Sequence, residues 1–206
     1  MPERVTGLPP SAPAGPEAAA IELLREFEAR FDVQDVPPVP VERIAESHLG
    51  LLIEEIDDIR SLPNAPTDQG ALSGLLDADA LTIWLDRAEA HRSRGRRRFT
   101  IAHECGHWVL HVVRSGLLVC HEAEVESAAD QGLRQREAQA NAFAQALLMP
   151  ELLVHQQARS TGCNLAVLAE RFDVSVAAIR LRLLKLGLLP AWMATVPIVD
   201  HGGGGR

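Results

Sequence analysis

The spacing of apolar residues predicts two helices near the start of the chain. Ile21, Leu24, Phe27 and Phe31 recur on one face at near-helical intervals. A second, shorter helix is predicted over residues 39–50, because this segment opens with a proline-containing start signal and ends at a glycine. Helical structure is therefore expected before the first strand.

Three short apolar runs then predict a small sheet. They cover residues 51–56, 71–76 and 81–86, and the Asp-Ala-Asp sequence at 77–79 is typical of a tight turn between the last two. Strands joined by so short a turn run in opposite directions. We therefore expect a small antiparallel sheet.

The second half of the chain has helical periodicity. Helices are predicted over 96–113 and 133–148, and Pro150 opens another. Two short helices, 164–172 and 176–186, follow with a tight connection, which is a helix-turn-helix-like arrangement. The predicted fold class is α+β, with the small antiparallel sheet packed on a bundle of helices.

The length of 206 residues fits one ordinary domain with a small appendage. Five prolines within residues 1–16 predict a disordered lead-in, and the glycine-rich end predicts a flexible tail at 191–206. Between them we expect a main domain at 17–160, followed by the helix-turn-helix-like segment at 161–190.

Charge and cysteine content narrow the class of function. With 20 Lys and Arg against 28 Asp and Glu, the formal net charge is -8. Nonspecific electrostatic binding to nucleic acid is therefore not expected. The three cysteines are an odd number without C-x-x-C spacing, which argues against a disulfide framework and a zinc ribbon. The sequence shows no apolar signal region and no long apolar run, so we expect a cytoplasmic protein with no membrane partner.

The main chemical signal is the H-E-x-x-H pattern at residues 103–107, on a predicted helix. His103 and His107 are one helical turn apart, so a ring nitrogen of each can reach the same zinc ion. Glu104 projects to the side, where it can accept the proton of a zinc-bound water that attacks a carbonyl. Apolar neighbours such as Ile101 predict a buried helix, in which these polar groups need a cation to pair them.

A catalytic zinc takes three protein ligands, so one more is needed. A metzincin pattern is excluded, because it requires glycine and histidine where this chain has Leu110 and Val113. Glu137 fits the third position from the next long helix, and Asn141, one turn further on, could accept the outer N–H of a ligating histidine. The rival ligands, in a polar stretch, are Glu122, Glu124 and Glu126.

His111 lies one turn beyond His107 and leaves three interpretations open: an alternative third ligand, a substrate-binding group, or a structural histidine. The oxyanion that forms during attack also needs a donor besides the metal. The chain has no tyrosine, so the candidates are His111, His155, an arginine of the basic run at 92–98 such as Arg98, or a backbone N–H of the edge strand.

Two central segments resemble those of the ImmA/IrrE metallo-endopeptidases. RRFTIAHECGHWVLH at 97–111 is similar to their R-F-T-x-A-H-E-x-G-H segment, and EAQANAFAQALLMP at 137–150 to their E-x-x-A-N-x-F-A-x-x-L-L-M-P segment. PVPVERIAESHLG at 38–50 and LAERFDVSVAAIRLRLLKLGLL at 168–189 resemble the early and final parts of the same peptidase unit.

The resemblance implies a zincin-like fold, locally similar to the thermolysin-like peptidases. It implies that His103, His107 and Glu137 bind Zn2+ and that Glu104 is the catalytic base. Members of the family typically cleave a helix-turn-helix repressor, often encoded alongside, and so relieve repression of transcription. The implied function is thus a zinc-dependent endopeptidase whose substrate is an XRE-type repressor. Cys105 stands where the family more usually has leucine.

Two other classes of function stay open. The chain could be a metal-bearing protein that binds a regulator without cutting it. It could also be a DNA-binding regulator through Arg180, Arg182 and Lys185 of the last predicted helix, although the net charge argues against direct nucleic-acid binding. The basic run at 92–98 could steer an acidic substrate segment, or it could be a solvated helix start.

Overall fold

The computed structural model of the chain describes residues 15–32, 36–62, 65, 72–112 and 128–195. In this part of the chain a small sheet packs on a larger group of helices. The elements are α1 (Pro16–Phe31), α2 (Val41–Arg43), β1 (Leu52–Ile56), β2 (Gly74–Asp77), β3 (Thr82–Asp86), α3 (Arg87–Arg92), α4 (Arg94–His107), α5 (Ala128–Leu148), α6 (Glu151–Thr161), α7 (Leu165–Phe172) and α8 (Val176–Lys185). Two π-helical turns, Ile44–Leu49 and Trp108–Val112, continue α2 and α4, and 3-10 turns occur at Ile59–Ser61 and Ala191–Ala194. None of the helices described here is long and apolar enough to cross a bilayer.

The first helix is longer than predicted and forms part of the core. Pro16 occupies its first turn, where a missing N–H costs nothing, and Glu17 lies in the same turn with its charge toward the positive end of the helix dipole. Ala20 and Phe27 are fully buried, and α1 packs on α5. Pro16 therefore belongs to the helix, while the rest of the predicted lead-in, residues 1–14, lies outside the described residues.

The three strands form a mixed sheet in the order β1-β3-β2. The β2–β3 hairpin is antiparallel as predicted, with Gly74 opposite Leu85. β1 pairs with the other side of β3 in the parallel direction, with Leu52 opposite Thr82, so the prediction of an antiparallel sheet is wrong for this pair. Parallel pairing needs a long connection, and residues 57–73 supply one between β1 and the hairpin.

Helix α4, which contains the H-E-x-x-H pattern, packs closely on α5 because Gly106 has no side chain. A Cβ atom at Gly106 would lie 3.2 Å from both the Cα and the carbonyl oxygen of Ala140, and 3.1 Å from the ring of Phe143. The apolar side of α4, including Ile101 and Cys105, is fully buried against the core. The two helices that carry the predicted ligands are thus brought into direct contact.

A buried arginine ties the start of α4 to distant parts of the chain. Arg98 donates to the carbonyl of Val39 at 2.7 Å and to that of Asp173 at 3.3 Å. Its guanidinium also lies 3.6 Å from the carboxylate of Glu42 and 3.4 Å from that of Asp173. Asp173 is the left-handed residue that ends α7, so Arg98 fastens the α7–α8 turn to α4.

A second buried arginine holds α8. Arg182 is 0% exposed, and its Nε donates to the carbonyl of Met149 at 3.0 Å, just after α5. Its Nη1 lies 3.2 Å from the carboxylate of Glu17 on α1, and Lys185 contacts the same carboxylate. The predicted helix-turn-helix-like pair therefore makes specific contacts with α1, α4 and the end of α5.

Several boundaries differ from the sequence prediction, and α5, for example, begins at Ala128 rather than at residue 133. Asp86 accepts a hydrogen bond from the backbone N–H of Glu89, and this cap starts the unpredicted helix α3. Ser93 caps α4 in the same way through Arg96, so α4 begins earlier than expected. Residues 113–127, which fall between the two helices predicted at 96–113 and 133–148, lie outside the described residues, as do residues 196–206, most of the predicted tail.

Candidate metal centre

Two histidines of α4 meet at one point. His103 and His107 are four residues apart, so they lie on the same face of the helix. Their Nε2 atoms are 3.0 Å apart, and their ring planes are inclined by 74°. Both side chains are about 15% exposed, so the pair is largely shielded from solvent.

Glu137 of α5 completes a group of three. One carboxylate oxygen lies 3.2 Å from Nε2 of His103, and the other lies 3.2 Å from Nε2 of His107. Within the described part of the chain, His103, His107 and Glu137 form a group of potential metal ligands whose donor atoms all lie within 4.8 Å of one another. The rival carboxylates Glu122, Glu124 and Glu126 lie outside the described residues.

The spacing of these donor atoms fits a single zinc ion. Zinc binds imidazole nitrogen and carboxylate oxygen at about 2.0 to 2.1 Å in tetrahedral geometry, which puts neighbouring donors about 3.3 Å apart. Here the two Nε2 atoms are 3.0 Å apart, and each lies 3.2 Å from a different oxygen of the Glu137 carboxylate. Two histidines and one carboxylate are also a catalytic type of ligand set, because the fourth position is left for water or substrate.

Asn141 orients the first histidine. Its Oδ1 lies 3.2 Å from Nδ1 of His103, and an amide oxygen can only accept, so Nδ1 of His103 carries the proton. In that tautomer the lone pair of the neutral ring is on Nε2, which faces His107 and Glu137. Asn141 therefore selects the form of His103 that can ligate a metal.

The charges of the group favour a bound cation. Hydrogen bonds from His103 and His107 hold the pKa of Glu137 well below its usual range, so this carboxylate is ionised. Burial lowers the pKa of His103, but the hydrogen bond to Glu137 and the charges of Glu104 and Glu137 more than offset it and leave the pKa raised. The site therefore attracts positive charge, and a metal ion would compete with a proton for it.

Glu104 lies on the inner side of the same helix. It is only 6% exposed, and burial raises its pKa above the usual glutamate range. The backbone amide of Leu76 in β2 acts in the opposite direction and lowers this pKa, but burial outweighs it. A Cβ atom at Gly74 would lie 2.4 Å from Thr100 and 3.2 Å from Glu104, so the missing side chain allows β2 to approach this carboxylate.

His111 does not join the three ligands. It lies in the π-helical turn that continues α4, and its ring centroid is 5.5 Å from that of His107. Its Nε2 lies 3.4 Å from the carbonyl oxygen of Arg136 on α5. Burial and the charge of His107 lower the pKa of His111, which favours the neutral ring. Its predicted role as a substrate or transition-state contact stays a prediction.

The basic run beside the site is engaged in ion pairs with the protein's own carboxylates. Arg98 is buried in the contacts described above, and a substrate contact from it stays a prediction. The other arginines pair as follows: Arg92 and Arg96 with Glu89, Arg94 with Asp173, and Arg97 with Glu42 and Glu55. These pairs favour a structural role for the run over steering of an acidic partner.

Sequence reasoning missed the contribution of β2. Gly74 and Leu76 lie near the buried carboxylate of Glu104, although they precede it by about 30 positions. An isolated glycine at the start of a strand is a signal of close backbone approach, and it was available in the sequence. Which element approaches that glycine depends on the tertiary fold.

Comparisons with known proteins agree with this geometry. Residues 72–184 match the model of the Peptidase M78 family, described as the IrrE N-terminal-like domain. No curated protein matches the chain. A solved structure titled Mycobacterium tuberculosis transcriptional regulator has a TM-score of 0.54 and 20% sequence identity, over 80% of this chain and 46% of that one. At this identity the likeness shows a shared fold, and the chain spans less than half the length of that protein.

Proposed function

Because the chain belongs to the Peptidase M78 family with an IrrE N-terminal-like domain, we propose that it is a zinc-dependent endopeptidase that cleaves a helix-turn-helix repressor and so relieves repression. The observation that carries the proposal is the convergence of His103, His107 and Glu137 beside the buried carboxylate of Glu104. A metal site that only stabilised the fold would not need an extra buried carboxylate at this position.

The three ligands and Asn141 would hold the metal. His103 and His107 offer Nε2, Glu137 offers its carboxylate, and Asn141 keeps His103 in the required tautomer. A bound zinc ion would supply Lewis acidity and make water a stronger nucleophile near neutral pH. Burial of the histidines excludes much of the surrounding water, which strengthens electrostatic interactions with the reacting groups.

Glu104 would carry the proton. Its raised pKa brings the carboxylate closer to the working pH, where a general base is most effective. The carboxylate would accept the proton of the attacking water and pass it to the leaving amine. β2 approaches this carboxylate closely at Gly74.

The outer edge of β2 is our candidate for the oxyanion donor. Hydrogen-bonding direction alternates along an antiparallel strand, so Gly74 and Leu76 direct their N–H groups to the same edge. The Leu76 amide acts on the pKa of Glu104, and the N–H of Gly74 lies on the same edge beside the base. Of the other candidates, His155 lies on α6 and is 3.7 Å from the carboxylate of Glu151.

The repressor substrate rests on the family resemblance. The two central motifs match those of the ImmA/IrrE peptidases, whose members typically cleave such repressors. The solved structure that shares the fold is titled a transcriptional regulator, which is consistent with a regulatory setting. The geometry of the metal centre supports peptide hydrolysis, and the family resemblance supports a helix-turn-helix repressor as the substrate.

DNA binding by α8 is less well supported. Of its three basic residues, Arg182 is fully buried on Met149 and Glu17, and Lys185 contacts Glu17 as well. These residues could reach phosphates only if those contacts broke. A duplex-shift assay at low salt tests this alternative, because phosphate binding is strongest there. A salt-dependent shift by the purified chain would favour it.

The proposed function is tested with Glu104→Gln, which keeps the size and polarity of the side chain. Zinc-loaded wild type and variant are incubated with purified XRE-type helix-turn-helix repressors from the same organism, and products are identified by mass spectrometry. We expect equal zinc content and specific cleavage by the wild type alone. Cleavage by the variant at the wild-type rate would contradict the role of Glu104. Binding of the intact repressor without cleavage by either form would favour the non-cleaving alternative.

A further inference from the structure

The turn that follows the second histidine ligand is π-helical. It spans Trp108–Val112 and directly continues α4 after His107. A π-helical turn contains an extra residue, so it points its side chains in directions that a regular α-helix would not. Such turns are frequent at functional sites. Here the turn brings His111 to the backbone of α5.

The contact falls immediately before the third ligand. His111 is 8% exposed, and its Nε2 donates to the carbonyl oxygen of Arg136 over 3.4 Å. Arg136 directly precedes Glu137 in α5. A carbonyl oxygen has two lone pairs, so it can accept from His111 in addition to its own helical partner.

This part of α5 is only weakly packed. Residues 131–136 are all exposed, and the Glu137 side chain itself is 46% exposed. The firmly buried part of α5 begins at Ala140. Among the described residues, apolar packing therefore does little to fix the backbone at Glu137, and a hydrogen bond from the turn after α4 is well placed to do so.

We propose that His111 is a positioning residue that fixes Glu137 for metal binding through the carbonyl of Arg136. One end of this contact is the helix that carries His103 and His107, and the other is the backbone next to the third ligand. The ring of His111 also lies beside that of His107, so His111 neighbours one ligand directly and the backbone of another. The inference rests on the proposed zinc site, but not on the peptidase reaction.

The test compares side chains of similar size with and without an N–H donor. His111→Phe and His111→Met remove the donor, whereas His111→Gln keeps an N–H at the end of the side chain. Zinc affinity of the full chain is measured by competition with a chromophoric chelator. We expect the dissociation constant to rise about tenfold for the first two variants, as for other groups that support metal ligands, and to stay near wild type for His111→Gln. If one donor-less variant does not fold, the other supplies the comparison.

A matched control separates positioning from general stability. Leu148→Ala removes a buried side chain from the same helix, three turns beyond Glu137, and we expect it to lower the melting temperature without changing zinc affinity. Wild-type affinity in both donor-less variants would overturn the inference, and so would equal losses in His111→Gln and Leu148→Ala. Absence of zinc binding by the wild type would instead overturn the proposed function.

Discussion

The Nδ1 atom of His103 lies 3.2 Å from the Oδ1 atom of Asn141, which is one helical turn beyond Glu137 on α5. One face of α5 thus supplies both a potential ligand and the group that orients another ligand. Because α4 and α5 touch at Gly106, these short contacts require no loop to place them. The centre is therefore set by the packing of two helices.

Asn141→Ala is expected to weaken zinc binding. The substitution removes the acceptor for Nδ1–H of His103, so the ring can rotate or adopt the other tautomer. Loss of such a partner typically lowers metal affinity by about 10-fold to 100-fold. Chelator competition measures this loss. Asn141→Asp keeps an oxygen acceptor and serves as the control. Equal zinc affinity of Asn141→Ala and wild type would show that Asn141 does not support the ligand.

Gly106→Ala is expected to destabilise the fold. The added Cβ would press on backbone atoms of Ala140 and the ring of Phe143 at 3.1 to 3.2 Å. Overpacking of this kind costs about 1 to 3 kcal/mol, which outweighs the gain of about 1 kcal/mol from the better helix propensity of alanine. Urea unfolding measures the net effect.

Gly132→Ala is the matched control for this substitution. Gly132 lies in α5, and a Cβ there would meet nothing within 4 Å. We expect it to stabilise the protein by up to about 1 kcal/mol through helix propensity alone. If both variants were stabilised equally, close approach at Gly106 would not limit the contact between α4 and α5.

Arg98→Met is expected to destabilise the protein strongly. It leaves Asp173 and the Val39 carbonyl without their buried partner, and breaking a buried ion pair costs about 3 to 5 kcal/mol. Arg98→Lys should recover only part of this, because one ammonium cannot replace the fork of the guanidinium. Arg92→Ala, at a side chain that is 69% exposed, should change the unfolding free energy by no more than about 0.5 kcal/mol. Similar small effects for Arg92 and Arg98 would contradict the structural role of Arg98.

Glu17 is expected to make stability depend on pH in the acid range. Burial raises the pKa of Glu17, but Lys185 and Arg182 more than offset this and hold the pKa below its usual range. Its contribution is therefore complete above the unfolded-state pKa of about 4.3 and is lost as pH falls through the lower folded pKa. We expect wild type to exceed Glu17→Gln in unfolding free energy by about 1 kcal/mol at pH 7.

The check on this prediction is the same comparison at low pH. Once Glu17 is protonated it carries no charge, as in the glutamine variant, so the two unfolding curves should converge. Urea unfolding between pH 2 and pH 7 measures the difference. A gap that stayed constant over this range would show that the charge of Glu17 makes no contribution through Arg182 and Lys185.

The sequence carried most of the information about the proposed ligands. His103 and His107 share a face because helical periodicity is a short-range property, and Glu137 and Asn141 share one for the same reason. The hairpin that contains β2 and β3 could also be predicted, because a tight turn determines its direction. Membership of the family, inferred from these motifs, is confirmed by the match over residues 72–184.

Features that depend on distant partners could not be predicted. The direction of β1 depends on the long connection that follows it. The residue pattern of β1 itself is compatible with parallel and with antiparallel pairing. The sequence predicts the basic run as a surface patch, but Arg98 donates a hydrogen bond to the backbone of Asp173, 75 positions away. The π-helical turn at His111 could not be predicted either, because its spacing departs from the regular α-helical periodicity on which the prediction rests.

The arginine contacts of α7 and α8 have a consequence for how the chain can be divided. A chain ending after residue 160 would retain every proposed ligand and Glu104, yet Arg98 would lose Asp173, and Met149 and Glu17 would lose Arg182. Inactivity of such a shortened chain would report on folding rather than on chemistry. We therefore expect the helical pair and the metal centre to unfold together, as one cooperative unit.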